Sequence, residues 1–157
     1  MKIEDIMSRS LKTCMRDHTL DCAARIMWEN DCGVVPIVDN TGRVVGMITD
    51  RDICFAVLTQ NRLLGQIRAD SVAIKPVITV RANESAQQAE ALMQRHQLRR
   101  LPVVNDSGQL IGILSLNDLA RASGQSPREV PSEEIMRTLA AISQPTRGMA
   151  GARAQTT

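Results

Sequence analysis

Displaced by 66 positions, the chain matches itself without a gap: residues 10 to 56 fall on residues 76 to 122. Thr13, Ala23, Met27, Pro36, Val38, Gly42, Gly46 and Asp52 return as Thr79, Ala89, Met93, Pro102, Val104, Gly108, Gly112 and Asp118. Conservative pairs fill the intervals, Val35 with Leu101, Ile37 with Val103, Val45 with Ile111 and Thr49 with Ser115. Two copies are too few for a stacked array, which needs several units to bury its faces. The expectation is therefore a pseudo-twofold pair whose halves complete a common core.

Each half reads as strand, helix, strand, strand, helix. In the first, LKTCM is a short extended piece. Thr19 then opens a helix in which Cys22, Ala23, Ile26 and Met27 share a face at helical spacing. VVPIV (34–38) is a strand, DNTG (39–42) a turn whose Asn and Gly tolerate positive φ, RVVGMI (43–48) the returning strand, and 49–58 a closing helix. The second half repeats this order with 77–80, 84–96, 100–104, the turn 105–108, 109–114 and 115–122. Proline inside a strand belongs at an edge or at an unpaired ladder position, so Pro36 and Pro102 are expected at an edge beside a cleft. The division is thus 1–58 for the first unit, 59–76 for a connection with a short helix replaying IEDIM, and 77–122 for the second unit. A Pro-, Gly-, Ser- and Arg-rich tail, 123–157, should be mobile apart from a short amphipathic helix at 132–142.

Composition removes several function classes. With one Phe, one Trp and no Tyr among 157 residues, the core must be aliphatic, and the aromatic platforms of single-strand nucleic-acid readers are missing. A net charge of +2 with dispersed Lys and Arg disfavours a DNA-binding face. No apolar run approaches the roughly 20 residues that span a bilayer, and MKIEDIMSRS lacks the apolar stretch of a secretory signal. A cytoplasmic location follows as an expectation, with neither membrane nor nucleic acid as partner. Cys14, Cys22, Cys32 and Cys54 match no C-x-x-C pattern, so they are read as reduced thiols packing as small hydrophobes, with no metal site. His18 and His96 are read as ordinary surface histidines. The chain offers no nucleophile paired with a base and no P-loop, so an enzyme is not expected.

Paired units carrying x-x-P-V/I-V, a Gly turn and then G-h-h-T/S-x-x-D, here GMITDRDI and GILSLNDL, resemble CBS domains. The phrases ITDRDI and QLRRLPVV are similar to those of stand-alone bacterial proteins that consist of little beyond one such pair. The resemblance implies an α+β fold, two pseudo-twofold-related CBS units (each β-α-β-β-α) forming one Bateman module. It further implies clefts that bind adenosine-containing molecules (AMP, ATP, NAD(H) or S-adenosylmethionine) as regulatory ligands, with no required cofactor. A homodimer and an unidentified regulated protein are the implied partners. The alternative is a scaffold for oligomerisation whose clefts stay empty.

Elementary chemistry assigns roles within that implied site. A helix N-terminus offers unpaired N–H groups and partial positive charge, so Thr49 or Ser115 with the adjoining amides suits a phosphate. Asp52 and Asp118 would repel phosphate but accept two hydrogen bonds from a ribose diol. Gly46 and Gly112 would let a ligand approach the backbone. Val34, Val35 and Pro36, or Leu101 and Pro102, would edge the adenine, and Thr13 and Thr79 are cleft residues by family analogy. Arg51, Arg99 and Arg100 are candidates for charge-assisted phosphate bonds. The two halves differ here, since the equivalents of these arginines are Asn117, Gly33 and Val34. Both T/S-x-x-D sequences equally match an ordinary capping box.

Overall fold

The computed structural model describes residues 1–74 and 76–145. The first half runs β1 (Cys14–Met15), α1 (Leu20–Glu29), β2 (Val34–Val38), β3 (Val44–Thr49) and α2 (Asp50–Gln60). A 3-10 turn (Leu64–Gln66) and the short helix α3 (Ala69–Val72) follow. The second half is β4 (Val80–Arg81), α4 (Ala86–His96), β5 (Arg100–Val104), β6 (Leu110–Ser115) and α5 (Leu116–Gln125), with α6 (Ser132–Ile142) after it. The α+β reading holds, and the final helix occupies the expected span. The expectation of a mobile end falls on 146–157, which lie outside the described residues.

Two three-stranded sheets, β1-β2-β3 and β4-β5-β6, carry the same register. The first pair in each is parallel and the second antiparallel, with Ile37 opposite Gly46 and Val103 opposite Gly112. Gly42 and Gly108 turn the hairpins at φ of 80° and 78°, where a side chain would be strained. The strands bearing the prolines prove to be central, not edge strands. Proline is accommodated because the two-residue β1 pairs only with Ile37 and Val38, and β4 only with Val103 and Val104. Pro36 and Pro102 therefore have a ladder neighbour on one side only.

The halves exchange their leading segments. Ile3 and Met7, from a 3-10 turn (Ile3–Asp5) and its continuation, are buried in the second core with Met93, Leu101, Leu114 and Leu119. Ile67 and Ala69 are buried in the first with Leu20, Val35, Ile37 and Ile48. The backbone seals both crossings: Ser8 N donates to Ile113 O at 2.9 Å, and Ile74 N donates to Met47 O at 2.8 Å. Each strand-bearing half thus lends its leading segment to the other, and the division at residue 58 separates the chain but not the cores.

The glycines of β3 and β6 explain how closely those segments cross. A Cβ on Gly46 would lie 2.5 Å from Ala73 Cβ, and one on Gly112 would lie 2.5 Å from Met7 Sδ. This corrects the expectation that Gly46 and Gly112 open the backbone to a ligand, because the space over each is already filled by protein. Finally, α6 lies over α4 and α5, burying Ile135 and Ile142 in the second core while Gln94 Nε2 donates to Thr138 Oγ1 at 2.8 Å. Among the described residues nothing equivalent covers the first half, where Trp28, the counterpart of Gln94, is 89% exposed. Among the described residues no helix is long and apolar enough to cross a membrane.

Candidate functional site

The helices α2 and α5 begin with complete capping boxes. Thr49 N and Oγ1 donate to Asp52 Oδ2 at 2.9 and 2.6 Å, and Asp52 N donates back to Thr49 Oγ1 at 3.2 Å. Ser115 and Asp118 repeat this at 2.7, 2.5 and 3.2 Å. The loops before β2 and β5 tie down the same termini, Asp50 N donating to Gly33 O and Leu116 N to Arg99 O, at 3.2 and 3.0 Å. The two acids differ in their second oxygen. Asp118 is 5% exposed and its Oδ1 is paired with the exposed guanidinium of Arg121, whereas Asp52 Oδ1 takes no part in the cap.

A cleft of about 1120 Å³ lies between the halves. Its floor and one wall come from Gly33, Val34, Met47, Thr49, Asp50 and Arg51 of the first half. The opposite wall comes from Ile74, Pro76, Val77 and Ile78, then His96 to Arg100 and Pro102. The end of α6 and the residues after it, Ile142 to Pro145, close one side, held there by Gln97 Nε2 donating to Gln144 O at 3.1 Å. Three guanidiniums therefore border a cleft whose own lining carboxylate is Asp50. The Arg51 guanidinium also stacks over the Phe55 ring at 5.2 Å.

Of the sequence-derived site residues, Val34, Thr49, Arg51, Arg99, Arg100 and Pro102 are brought together on this cleft. Val35 and Leu101 are not: both are 0% exposed and belong to the two cores. The reason is the strand period. Alternate residues face opposite sides, so Val34 and Val35 cannot both edge one ligand, and the same holds for Leu101 and Pro102. Pro36, Thr13, Thr79, Asp52, Ser115 and Asp118 do not line this cleft, and Gly46 and Gly112 face Ala73 and Met7. Sequence reasoning missed Met47, Ile78, His96 and the α6 end. Met47 was within reach, since it shares strand parity with Thr49.

A second grouping was also missed. Cys14 on β1, His18 in the following turn and Cys22 in the first turn of α1 hold their Sγ, ring N and Sγ atoms within 4.8 Å of one another. Burial pushes the Cys14 thiol pKa up, helped by its bond to Cys22. All four cysteines are free, and Cys54 is exposed.

A pair of α+β units with exchanged leading segments, near-identical registers and a cleft between them at the capped start of α2 defines a two-unit module. The chain belongs to the CBS domain family, whose model matches residues 3–59 and 69–124. It is 36% identical over 118 residues to the CBS domain-containing protein YhcV of Bacillus subtilis, covering 75% of this chain and 82% of that one. It is 35% identical over 142 residues to hypoxic response protein 1 of Mycobacterium tuberculosis, covering 90% and 93%. The crystal structure of Hypoxic Response Protein I, which has two coordinated zinc ions, superposes with a TM-score of 0.71 at 36% identity over 77% of this chain and 98% of that one. The CBS domain pair of MJ0100, in complex with 5′-methylthioadenosine and S-adenosylmethionine, gives 0.71 at 28% identity over 80% and 98%. CBSX2 in complex with AMP gives 0.70 at 25% identity over 81% and 98%.

Proposed function

We propose that the chain is a regulatory module that binds an adenosine nucleotide between its two units and passes the occupancy of that site to a partner protein. The observation that carries this reading is the convergence of Arg51, Arg99, Arg100 and Thr49 on one cleft with apolar walls. The three arginines receive the phosphate. Val34, Ile78 and Pro102 flank the adenine. The adenosine ligands of MJ0100 and CBSX2 support this class. The charge of the cleft then selects within it. Arginines favour AMP, ATP or NAD(H) over S-adenosylmethionine, whose sulfonium carries a positive charge.

A ligand shifts a conformational equilibrium only through its differential affinity for the two states, and here a nucleotide touching residues of both halves favours whichever arrangement holds those residues together. A second copy of the chain completes the module. Trp28, Leu58 and Leu63 leave an apolar face exposed on the first half, where the second half is covered by α6. The test is a thermal-shift panel with AMP, ATP, NADH and S-adenosylmethionine on wild type and the Arg99→Ala/Arg100→Ala variant. A phosphate-bearing adenosine at 100 times its Kd stabilises the wild type by about 2.7 kcal/mol, and the variant loses that shift. A flat response to every ligand leaves the alternative, an oligomerisation scaffold.

A further inference from the structure

We propose that Cys14, His18 and Cys22 form a binding site for one zinc-class divalent cation on the first unit, remote in function from the nucleotide cleft. The residues follow the spacing C-x-x-x-H-x-x-x-C. The fold converts that spacing into a corner: β1 presents Cys14, the turn presents His18, and the first turn of α1 presents Cys22. His18 Nδ1 stands 3.3 Å from Cys22 Sγ, and all three donor atoms fall within 4.8 Å. A tetrahedral zinc with two thiolates and one imidazole sets its donors roughly 3.5–3.8 Å apart. The widest pair therefore closes by about 1 Å on binding, within reach of side-chain rotation at the two exposed or half-exposed members. Two soft sulfur ligands with an imidazole suit zinc over magnesium or calcium, and the exposed position of His18 opens the fourth corner to water.

The backbone at this corner is held independently of any metal. His18 N donates to Met15 O at 3.1 Å, and His18 O accepts from Ala69 N at 2.8 Å, so the exchanged segment grips the turn from behind. The carboxylate of Asp21 adds negative charge beside Cys14.

Comparison with the second unit separates this cluster from ordinary packing. The positions equivalent to Cys14, His18 and Cys22 are Val80, Glu84 and Gln88. There Glu84 and Gln88 serve the backbone: Arg81 N donates to Glu84 Oε2, and Ser85 N to Gln88 Oε1, both at 2.8 Å. In the first unit those two capping side chains are replaced by an imidazole and a thiol, and Thr19 makes no side-chain cap bond. Where the second unit carries a turn-binding carboxylate and a helix-capping amide, the first unit carries an imidazole and a thiol, and it places a third metal-binding atom where the second unit has valine.

The experiment is a Co²⁺ titration of the reduced, full-length protein, followed by absorption. Wild type is expected to take up one Co²⁺ per chain with a thiolate-to-cobalt charge-transfer band in the near ultraviolet and tetrahedral d–d bands in the visible, which Zn²⁺ displaces. His18→Asn and Cys22→Ser, both at solvent-accessible positions, keep the far-UV circular dichroism of the wild type and weaken binding roughly tenfold or more. Cys54→Ser binds as wild type does, and because the titration contains no nucleotide its outcome is independent of the nucleotide reading. No charge-transfer band in the reduced wild type overturns the proposal. So does a band that persists at unchanged affinity in both ligand variants, or one that vanishes with Cys54.

Discussion

The exchange of leading segments predicts an unusual sensitivity at Gly46. In Gly46→Ala the new Cβ falls 2.5 Å from Ala73 Cβ, with Ile37 Cβ a further neighbour at 3.7 Å. Carbon atoms settle near 3.5–4.0 Å, so more than about 1 Å must be recovered, and neither alanine has a torsion with which to recover it. The backbone after α3 has to lift off β3, straining the 2.8 Å bond from Ile74 N to Met47 O. Overpacking of this kind costs about 1–3 kcal/mol, which for a chain of this length lowers Tm by roughly 2–4 °C per kcal/mol. Gly112→Ala is the internal control. Its Cβ meets Met7 Sδ at 2.5 Å and the Ser8 carbonyl oxygen at 3.3 Å; the methionine side chain has three rotatable bonds and moves aside, and the backbone contact needs a shift of only a few tenths of an ångström, so its cost falls below that of Gly46→Ala. The assay is urea unfolding followed by circular dichroism, on both single variants, Ala73→Gly, and the double variant Gly46→Ala/Ala73→Gly. Removing the opposing methyl is expected to return at least half the loss caused by Gly46→Ala. The reasoning is refuted if Gly46→Ala is as stable as wild type within about 0.5 kcal/mol, or if Ala73→Gly adds to the damage.

Asp118→Ala removes the buried acceptor of two bonds, from Ser115 N and Ser115 Oγ, and should cost about 1–3 kcal/mol in urea unfolding. Arg121→Ala, an exposed partner of the same carboxylate, should cost under about 1 kcal/mol. Burial and the nearby Glu134 raise the pKa of Glu90 above the ordinary carboxylate range. A raised folded-state pKa means that its favourable contribution is fully present below the unfolded value and is lost as pH rises through the folded one. Glu90→Gln should therefore be more stable than wild type at pH 7.5, with the difference closing near pH 4; urea midpoints at the two pH values check this. Trp28→Glu places a charge on the exposed Trp28 position of α1, and if the proposed second copy docks there the variant should sediment as a monomer where wild type sediments as a dimer, with unchanged circular dichroism.

What the sequence disclosed and what it withheld have one physical cause. Element types follow from local pattern, and the two hairpins were legible because Gly42 and Gly108 sit where only positive φ completes the turn. The segment exchange was not legible. Ile3 and Ala69 occupy equivalent places before equivalent strands, so either segment satisfies either core, and the path of the connecting chain decides between them. The glycines announced a close approach without naming what approaches. The choice of Val34, Val35 and Pro36 together overlooked the two-residue period of a strand, which sends Val35 into the core.

The same logic shows where to look for what this chain does beyond folding. Positions identical in both halves, such as Gly46 and Gly112 or the acids of the two caps, turn out to hold the scaffold, because a pseudo-twofold fold imposes the same packing demand twice. Positions that differ between halves are free of that demand. Arg99 and Arg100 against Gly33 and Val34, Arg51 against Asn117, Trp28 against Gln94, and His18 and Cys22 against Glu84 and Gln88 are all of this kind. The first two sets border the cleft, the third leaves one side chain bare, and the last puts imidazole and sulfur where the second unit has a turn-binding carboxylate and a helix-capping amide. Restoring the second unit's residues at one set, by His18→Glu with Cys22→Gln, should therefore recover a cap worth about 0.5–2 kcal/mol in metal-free buffer while abolishing Co²⁺ binding. If that double variant is less stable than metal-free wild type, the first unit gave up no cap for its cysteines and histidine, and divergence between the halves loses its value as a guide to function.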